Sequence, residues 1–246
     1  MHIRRNAMEA MNEIIYCQTE EEVLQLSAEV VRSTGCESFV YTTMRADDRR
    51  PEQDTYRYFI GCRSEWCDVY SGRKWFMNDP FVEYARTNTC AIVGSQIKAG
   101  RTSGQLEMLE AAAEHGFRSG MILPTHSSLT VGERMGILYI GIDAEEAIGE
   151  PVLHANRITF RALGMELLDW WIARLYNEGR ERYKLTEVEV EVLQHYKNGL
   201  RAAEIAAKKN VKTYIAYGWM SAIKEKMDVD KIDDAVRMAN NCGLLG

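Results

Sequence analysis

The stretch Leu185–Val229 reads LTEVEVEVLQHYKNGLRAAEIAAKKNVKTYIAYGWMSAIKEKMDV, and its spacing decides how the chain is organised. Apolar residues recur at helical intervals: Val188 with Val192 and Leu193, then Ile205, then Ile215, Trp219 and Ile223. Three short helices follow from this pattern. Thr186 and Glu189 form a capping box at the start of the first, and Gly199 ends it in a left-handed turn. Glu204, Ile205 and Ala206 belong to a second helix so short that Asn210 and Val211 must turn the chain at once into a third. Helix, tight turn and helix at this spacing is the arrangement that sets a recognition helix in the DNA major groove. A helical hairpin in an ordinary all-α domain has the same periodicity, so residue identities must decide.

Those identities are Leu185, Thr186, Glu189, Glu191, Val192, Leu193, Gly199, Glu204, Ile205 and Ala206, continuing through Val211, Ile223, Lys226 and Val229. With them the segment resembles the C-terminal helix-turn-helix domain of LuxR-type transcription regulators. The resemblance implies a DNA-binding domain over 185–246, with Lys208, Lys209, Lys212, Thr213, Tyr217, Ser221 and Lys224 against the DNA. It departs from the family in the recognition helix, where Ile215, Ala216, Trp219 and Ala222 replace the usual Thr-Val and the later His and Asn. Guanine readout favours Arg or Lys, and the two base-reading positions are Tyr217 and Ser221. Gly218, inside that helix, costs roughly 1 kcal/mol relative to Ala.

The rest of the 246 residues must form a larger N-terminal domain. A hydrophobic fraction of 46% with 27% charged residues is an ordinary soluble composition. No apolar run approaches bilayer length and no signal peptide is visible, so the expectation is a cytoplasmic protein without membrane insertion. Cys17, Cys36, Cys62, Cys67, Cys90 and Cys242 contain no Cys-x-x-Cys pair and no neighbouring His at ligand spacing, which reads as reduced thiols and no metal. The net charge of −6 speaks against a nonspecific nucleic-acid coat. Basic side chains are instead concentrated at Arg201, Lys208, Lys209 and Lys212, with Lys224 and Lys226 further on.

In chain order, Ala7–Tyr16 and Thr19–Ser33 read as helices, the second opened by a Thr19/Glu22 capping box. Ser38–Arg45 and Tyr56–Gly61 read as strands joined by the charged loop Asp47–Asp54. Trp66–Tyr70 lies on a helix, Asp79-Pro80 starts another, and Ser103–His115 is a third, ended by Gly116. Gly120–Pro124 and Met135–Ile142 are two more strands. The expected fold class is α+β: an α/β/α sandwich around an antiparallel sheet, followed by the all-α C-terminal domain. Val152–Tyr176 reads as one long final helix whose Leu163, Leu167, Leu168, Trp170 and Trp171 exceed what one domain face needs, pointing to a dimer contact. The expected domains are 1–176 for ligand binding and dimerisation, a charged linker 177–184, and 185–246.

Trp66, Tyr70, Asp79, Pro80 and Gly120 carry the resemblance into the first domain, where they keep the spacing of LuxR-type autoinducer-binding domains. That resemblance implies that Trp66 and Asp79 hydrogen-bond the lactone carbonyl and amide N–H of an acyl-homoserine lactone while Tyr70 lines the acyl pocket. The chemistry is coherent, since an indole N–H only donates and a carboxylate only accepts. Three family positions differ: a Tyr is Cys62, the Trp over the head group falls at Gly94, and a Ser or Thr of the late strand is Tyr139. Losing one neutral hydrogen bond costs roughly 0.5 to 1.5 kcal/mol. Losing an aromatic lid costs on the order of 2 to 4 kcal/mol if the site cannot close.

An enzyme is not expected. There is no Gly-x-Ser-x-Gly, no Gly-rich phosphate loop and no His-Glu-x-x-His, and His2, His115, His126, His154 and His195 are far apart in sequence. The resulting expectation is a homodimeric regulator of quorum-sensing type, with a small autoinducer and a palindromic double-stranded DNA operator as partners and no cofactor. Two alternatives are a solo regulator sensing a non-lactone signal and an inhibitory dimer partner that no longer reads DNA.

Overall fold

The computed structural model describes residues 6–45, 56–97, 102–127 and 134–245. The expected loop Asp47–Asp54 lies outside them. Two compact units divide after Trp171.

The first unit begins with α1 (Ala7–Ile14) and α2 (Glu20–Ser33), each opened by a complete capping box, Asn6/Glu9 and Thr19/Glu22. Its sheet has the order β2-β1-β5-β4-β3, antiparallel throughout, with β1 Ser38–Arg45, β2 Arg57–Gly61, β3 Ile92–Val93, β4 Ser119–His126 and β5 Arg134–Ile142. Between β2 and β3 lie α3 (Ser64–Gly72), a 3₁₀ turn (Trp75–Met77) and α4 (Pro80–Thr87), and α5 (Ser103–Glu114) precedes β4. The two-residue edge strand β3 was not foreseen, being too short to show a period.

Strand alternation sorts the side chains onto two faces. Tyr41 pairs with Phe59 on one, and there Phe59 packs 5.7 Å from Trp170 and 5.2 Å from Trp171, ring centre to ring centre. Val40, Thr42, Met44, Tyr58, Ile60, Ile137 and Tyr139 occupy the other, beneath α3, α4 and α5, and line a cavity.

The expected single helix 152–176 is instead two, α6 (Glu146–Ala155) and α7 (Arg157–Tyr183). The two meet at Asn156 (φ −100°, ψ 5°), whose backbone N–H and side-chain amide both donate to the Val152 carbonyl, at 3.2 and 2.9 Å. Leu163, Leu167, Leu168, Trp170 and Trp171 are all buried within this unit. Their apolar surplus is absorbed by the chain's own core, so these residues no longer argue for a dimer contact. Trp170 also donates its indole N–H to the Cys17 carbonyl, 2.9 Å.

The second unit contains α8 (Glu187–Lys197), α9 (Ala202–Lys208), α10 (Thr213–Met227) and α11 (Ile232–Asn241). Thr186 and Glu189 make the expected capping box and Gly199 has φ +89°, the left-handed value that ends α8. Asn210, at φ +53°, turns the chain from α9 into α10. The core gathers Val192, Leu193, Ile205, Ala216, Ile223 and Met227, closed by Ala235 and Ala239 of the unforeseen α11. The charged segment 177–183 is helical, with Tyr183 buried in this core, and a Cβ at Gly179 would stand 2.7 Å from Cys242 Cβ. It is a packed part of the unit.

Glu189 is buried, and its Oε2 accepts from the Thr186 N–H (2.6 Å), the Thr186 hydroxyl (2.9 Å) and the Lys226 ammonium (2.6 Å). Burial alone would raise its pKa, but Lys226 and Thr186 outweigh that and hold it below the usual range. Glu189 therefore stabilises the fold above the ordinary glutamate value of about 4.3, and the contribution is lost as pH falls through the lowered folded value. Removing one partner of a fully buried pair costs about 3–5 kcal/mol, and less where solvent reaches it. With the Lys226 side chain 34% exposed, Lys226→Met should destabilise the chain by roughly 1–2 kcal/mol and flatten its acid-unfolding profile, as read by urea denaturation across pH.

Candidate ligand-binding site

Trp66, Cys67, Tyr70 and Ser71 recur at i, i+1, i+4 and i+5 on α3, which puts all four on one face above the sheet. The chain then turns through Trp75–Met77, reversing at Lys74 in the left-handed region (φ +54°), and delivers Asp79 as the N-cap of α4 with Pro80 in the first turn. The Asp79 Oδ1 accepts from the Phe81 N–H at 2.7 Å, as an N-cap should. Its Oδ2 accepts from the Tyr70 hydroxyl at 2.6 Å, which ties α3 to α4.

These side chains close one end of a cavity of about 340 Å³ between the helices and the sheet. The walls are otherwise mostly apolar, with Val40, Met44, Ile60, Phe81, Met108 and Ile137 among them. Trp66 packs against Tyr70, Trp75, His115 and Phe117 at 5.6 to 6.0 Å. Among the described residues its indole N–H has no hydrogen-bond partner. Tyr139 lies between Phe117 (5.1 Å, stacked) and Phe81 (5.5 Å), and its hydroxyl is likewise without a partner among the described residues.

The arrangement offers a molecule in the cavity a carboxylate with spare lone pairs, an indole donor and a phenol, all in apolar surroundings. Burial raises the Asp79 pKa, opposed by the Tyr70 hydroxyl and the Phe81 and Val82 N–H groups. Burial and then the Asp79 charge push the Tyr70 phenol up, and the same two causes raise Tyr139. Among the described residues no group of three or more His, Cys, Asp or Glu could hold a metal.

Of the residues singled out from sequence, Trp66, Tyr70, Asp79 and Tyr139 line this cavity. Pro80 lies in an outer groove of about 800 Å³ that shares Tyr56, Phe76, Asp79 and Val82 with it. Cys62, Gly94 and Gly120 line neither. Gly120 acts from behind, because a Cβ there would stand 2.8 Å from the Tyr139 hydroxyl. A Cβ at Gly94 would meet only the Gly120 carbonyl at 3.8 Å, so that position opens onto free space, and its neighbours Ile92, Gln96 and Ile97 wall the outer groove. Cys62 turns its sulfur to Cys67 at 3.9 Å.

Among the lining residues that sequence reading missed are the strand positions Thr42, Tyr58 and Ile60, the helical pair Met108 and Ala112, and Phe81. Alternation along β1 and β2 would have found the first three. In the C-terminal unit, Lys208, Lys212, Thr213, Tyr217 and Ser221 are exposed and Lys224 is half-buried. Lys209 is paired with Glu191.

Residues 19–159 match the autoinducer binding domain family. The chain belongs to that family. It is a quorum-sensing regulator of the LuxR type, a receptor for a small-molecule signal and not an enzyme. A complex of SdiA with octanoyl-rac-glycerol has the same fold, with TM-score 0.69 and 16% identity over 97% of this chain and 94% of that one. A crystal structure of Escherichia coli SdiA matches with TM-score 0.69 and 15% identity over 97% of each chain. CepR2 from Burkholderia cenocepacia, an N-acylhomoserine lactone dependent LuxR family transcription factor, matches with TM-score 0.54 and 15% identity over 68% of this chain and 94% of its own. At such identities the likeness is one of fold. No curated protein sequence matches the chain. No helix among the described residues is long and apolar enough to cross a membrane.

Because Asp79 is more protonated folded than unfolded between the ordinary aspartate value and its raised one, stability falls as pH rises across that window. Tyr70→Phe removes a charge-assisted donor, so Asp79 should titrate higher still and the ligand-free protein should lose about 1.5–3 kcal/mol. NMR titration of the Asp79 carboxyl carbon in both proteins checks this, with Asp79→Asn abolishing the pH-dependent slope.

Proposed function

We propose that the chain is a homodimeric, DNA-binding transcription regulator that responds to an acyl-homoserine lactone. One observation carries this reading: the Asp79–Tyr70 pair and Trp66, whose indole N–H has no partner among the described residues, share one apolar cavity. A carboxylate and an indole donor match a head group that offers one N–H and one carbonyl, and the apolar walls match an acyl chain. At about 340 Å³ the cavity is near the small end of ligand pockets, roughly 300–1,000 Å³, which favours short or medium chains.

In the C-terminal unit, α9, the turn at Asn210 and α10 have the order of a helix-turn-helix, and α10 presents Thr213, Tyr217 and Ser221 to solvent. Lys208, Lys212 and Lys224 supply phosphate contacts at its edges. Residues 1–176 serve ligand binding and 185–246 DNA binding. The cytoplasm is the compartment where such a protein meets DNA.

A second reading, a non-lactone acyl signal, draws support from the open space at Gly94 and from the octanoyl-rac-glycerol held by SdiA. A head group larger than a lactone would extend from Asp79 into the outer groove, whose wall includes Asn78, Gln96 and Gln105. A third reading, an inhibitory dimer partner, draws support from Lys209 and Lys226, which are held by Glu191 and Glu189 and so are less available to phosphate.

Calorimetric titration with octanoyl-homoserine lactone tests the first reading. Asp79→Ala should weaken binding about 10- to 100-fold, since a buried ligand N–H left without an acceptor costs about 1–3 kcal/mol. Asp79→Asn keeps the helix cap and separates lost recognition from lost folding. Gly94→Trp should narrow the accepted head groups toward small lactones. Normal binding by Asp79→Ala overturns the reading, and failure of every lactone on the unaltered chain transfers it to a non-lactone signal.

DNA selection from random sequence should return a palindrome with half-sites about one helical turn apart, bound with affinity that falls steeply with salt. No binding even at low salt would favour the inhibitory partner.

A further inference from the structure

Cys62 and Cys67 place two thiols 3.9 Å apart, sulfur to sulfur, beside the cavity. Cys67 lines it from the first turn of α3, while Cys62 sits behind, in the bend between the end of β2 and the cap residue Arg63. Both are half-buried free thiols. We propose that Cys62 and Cys67 form a hydroperoxide-sensitive dithiol site in the cavity wall, whose conversion to a disulfide weakens ligand binding.

Several features of the geometry support this. A disulfide needs the sulfurs at about 2.05 Å, roughly 2 Å closer than they stand. Cys62 can supply that movement because it belongs to neither strand nor helix. The contact between the two sulfurs lowers the Cys67 pKa against burial and the Asp68 charge, which raise it, and a place in the first turn of a helix favours a thiolate. The same contact, with burial, raises Cys62. Cys67, on the cavity wall and in the first turn of α3, is the attacking thiolate, and Cys62, behind it in the bend, the resolving thiol.

The chemistry balances with a hydroperoxide as oxidant. The Cys67 thiolate attacks one peroxide oxygen, the O–O bond breaks, and with hydrogen peroxide the departing hydroxide takes a proton to leave as water, giving a sulfenic acid. The Cys62 sulfur then attacks the Cys67 sulfur, loses its proton and expels a second water. Two thiols are oxidised by two electrons and one peroxide is reduced. The closing movement pulls on the turn of α3 that carries Trp66, one turn before Tyr70, and so disturbs the polar end of the cavity.

The thiol site stands on its own geometry, while its effect on binding rests on the ligand reading above. The test treats the full ligand-free chain with hydrogen peroxide, alkylates it, and digests it with trypsin, which cuts at Arg57, Arg63 and Arg73. Peptides 58–63 and 64–73 should appear joined and two hydrogens lighter. Cys62→Ser should leave a Cys67 sulfenic acid that dimedone traps, and Cys67→Ser should leave Cys62 unoxidised at the same dose. Unlinked peptides, with oxidation confined to the exposed Cys90, would overturn the site.

Oxidation should weaken octanoyl-homoserine lactone binding about tenfold, reversed by dithiothreitol and absent in the doubly Ser-substituted chain. Unchanged affinity in a chain shown to carry the disulfide would overturn the effect on binding. Should the lactone bind neither form, the ligand reading fails separately, and an environment-sensitive fluorescent fatty acid then reads the cavity: redox-dependent binding supports the effect and identical binding refutes it.

Discussion

A carboxylate set in an apolar cavity must be satisfied by donors, and the short bond from the Tyr70 hydroxyl to Asp79 meets that constraint here. It fixes α3 against α4, and with the N-cap bond to Phe81 it leaves Asp79 one orientation while sparing acceptor capacity on the same oxygens. The cost of burial is visible in the direction of three pKa shifts, since Asp79, Tyr70 and Tyr139 are all raised with burial as the largest cause. A ligand N–H that reached Asp79 would offset part of that cost, which makes the cavity end an acceptor waiting for a donor. Trp66 offers the converse, a donor without an acceptor among the described residues.

The sheet divides the remaining labour. Phe59, Trp170 and Trp171 fill one face with aromatic rings and make a rigid backing, so the opposite face can tolerate a cavity. Gly120 shows how finely that face is fitted: the missing Cβ is what lets the Tyr139 hydroxyl lie over β4. In the C-terminal unit a second buried carboxylate, Glu189, plays the tying role, joining the start of α8 to Lys226 on α10.

Much of this was legible in the sequence where the signal is local. Capping boxes at Thr19 and Thr186, the Asp79-Pro80 helix start, the turn at Gly199 and the strands Ser38–Arg45 and Met135–Ile142 depend on neighbours within a few residues. The misses have tertiary causes. The apolar surplus of α7 finds its partner in Phe59, about a hundred residues earlier, and the departure from helical geometry at Asn156 leaves no mark on the apolar period. Trp66, Tyr70 and Asp79 were found because their spacing is that of the family. The walls supplied by Thr42, Tyr58 and Met108 were not, since membership in a cavity is decided by which strands pair. The family spacing alone puts Gly94 over the head group, and the structure sets it beside Gly120, off the lining.

The central claim is that Asp79, with Trp66, holds the polar head of an acylated small molecule. Native mass spectrometry of the protein purified from cells that make such signals tests it most directly. The account predicts one small molecule per chain, released on denaturation, carrying an acyl chain and a head group with both hydrogen-bond donor and acceptor, and absent from Asp79→Asn. An empty cavity in the unaltered protein under those conditions, or a bound molecule retained equally by Asp79→Asn, would contradict it.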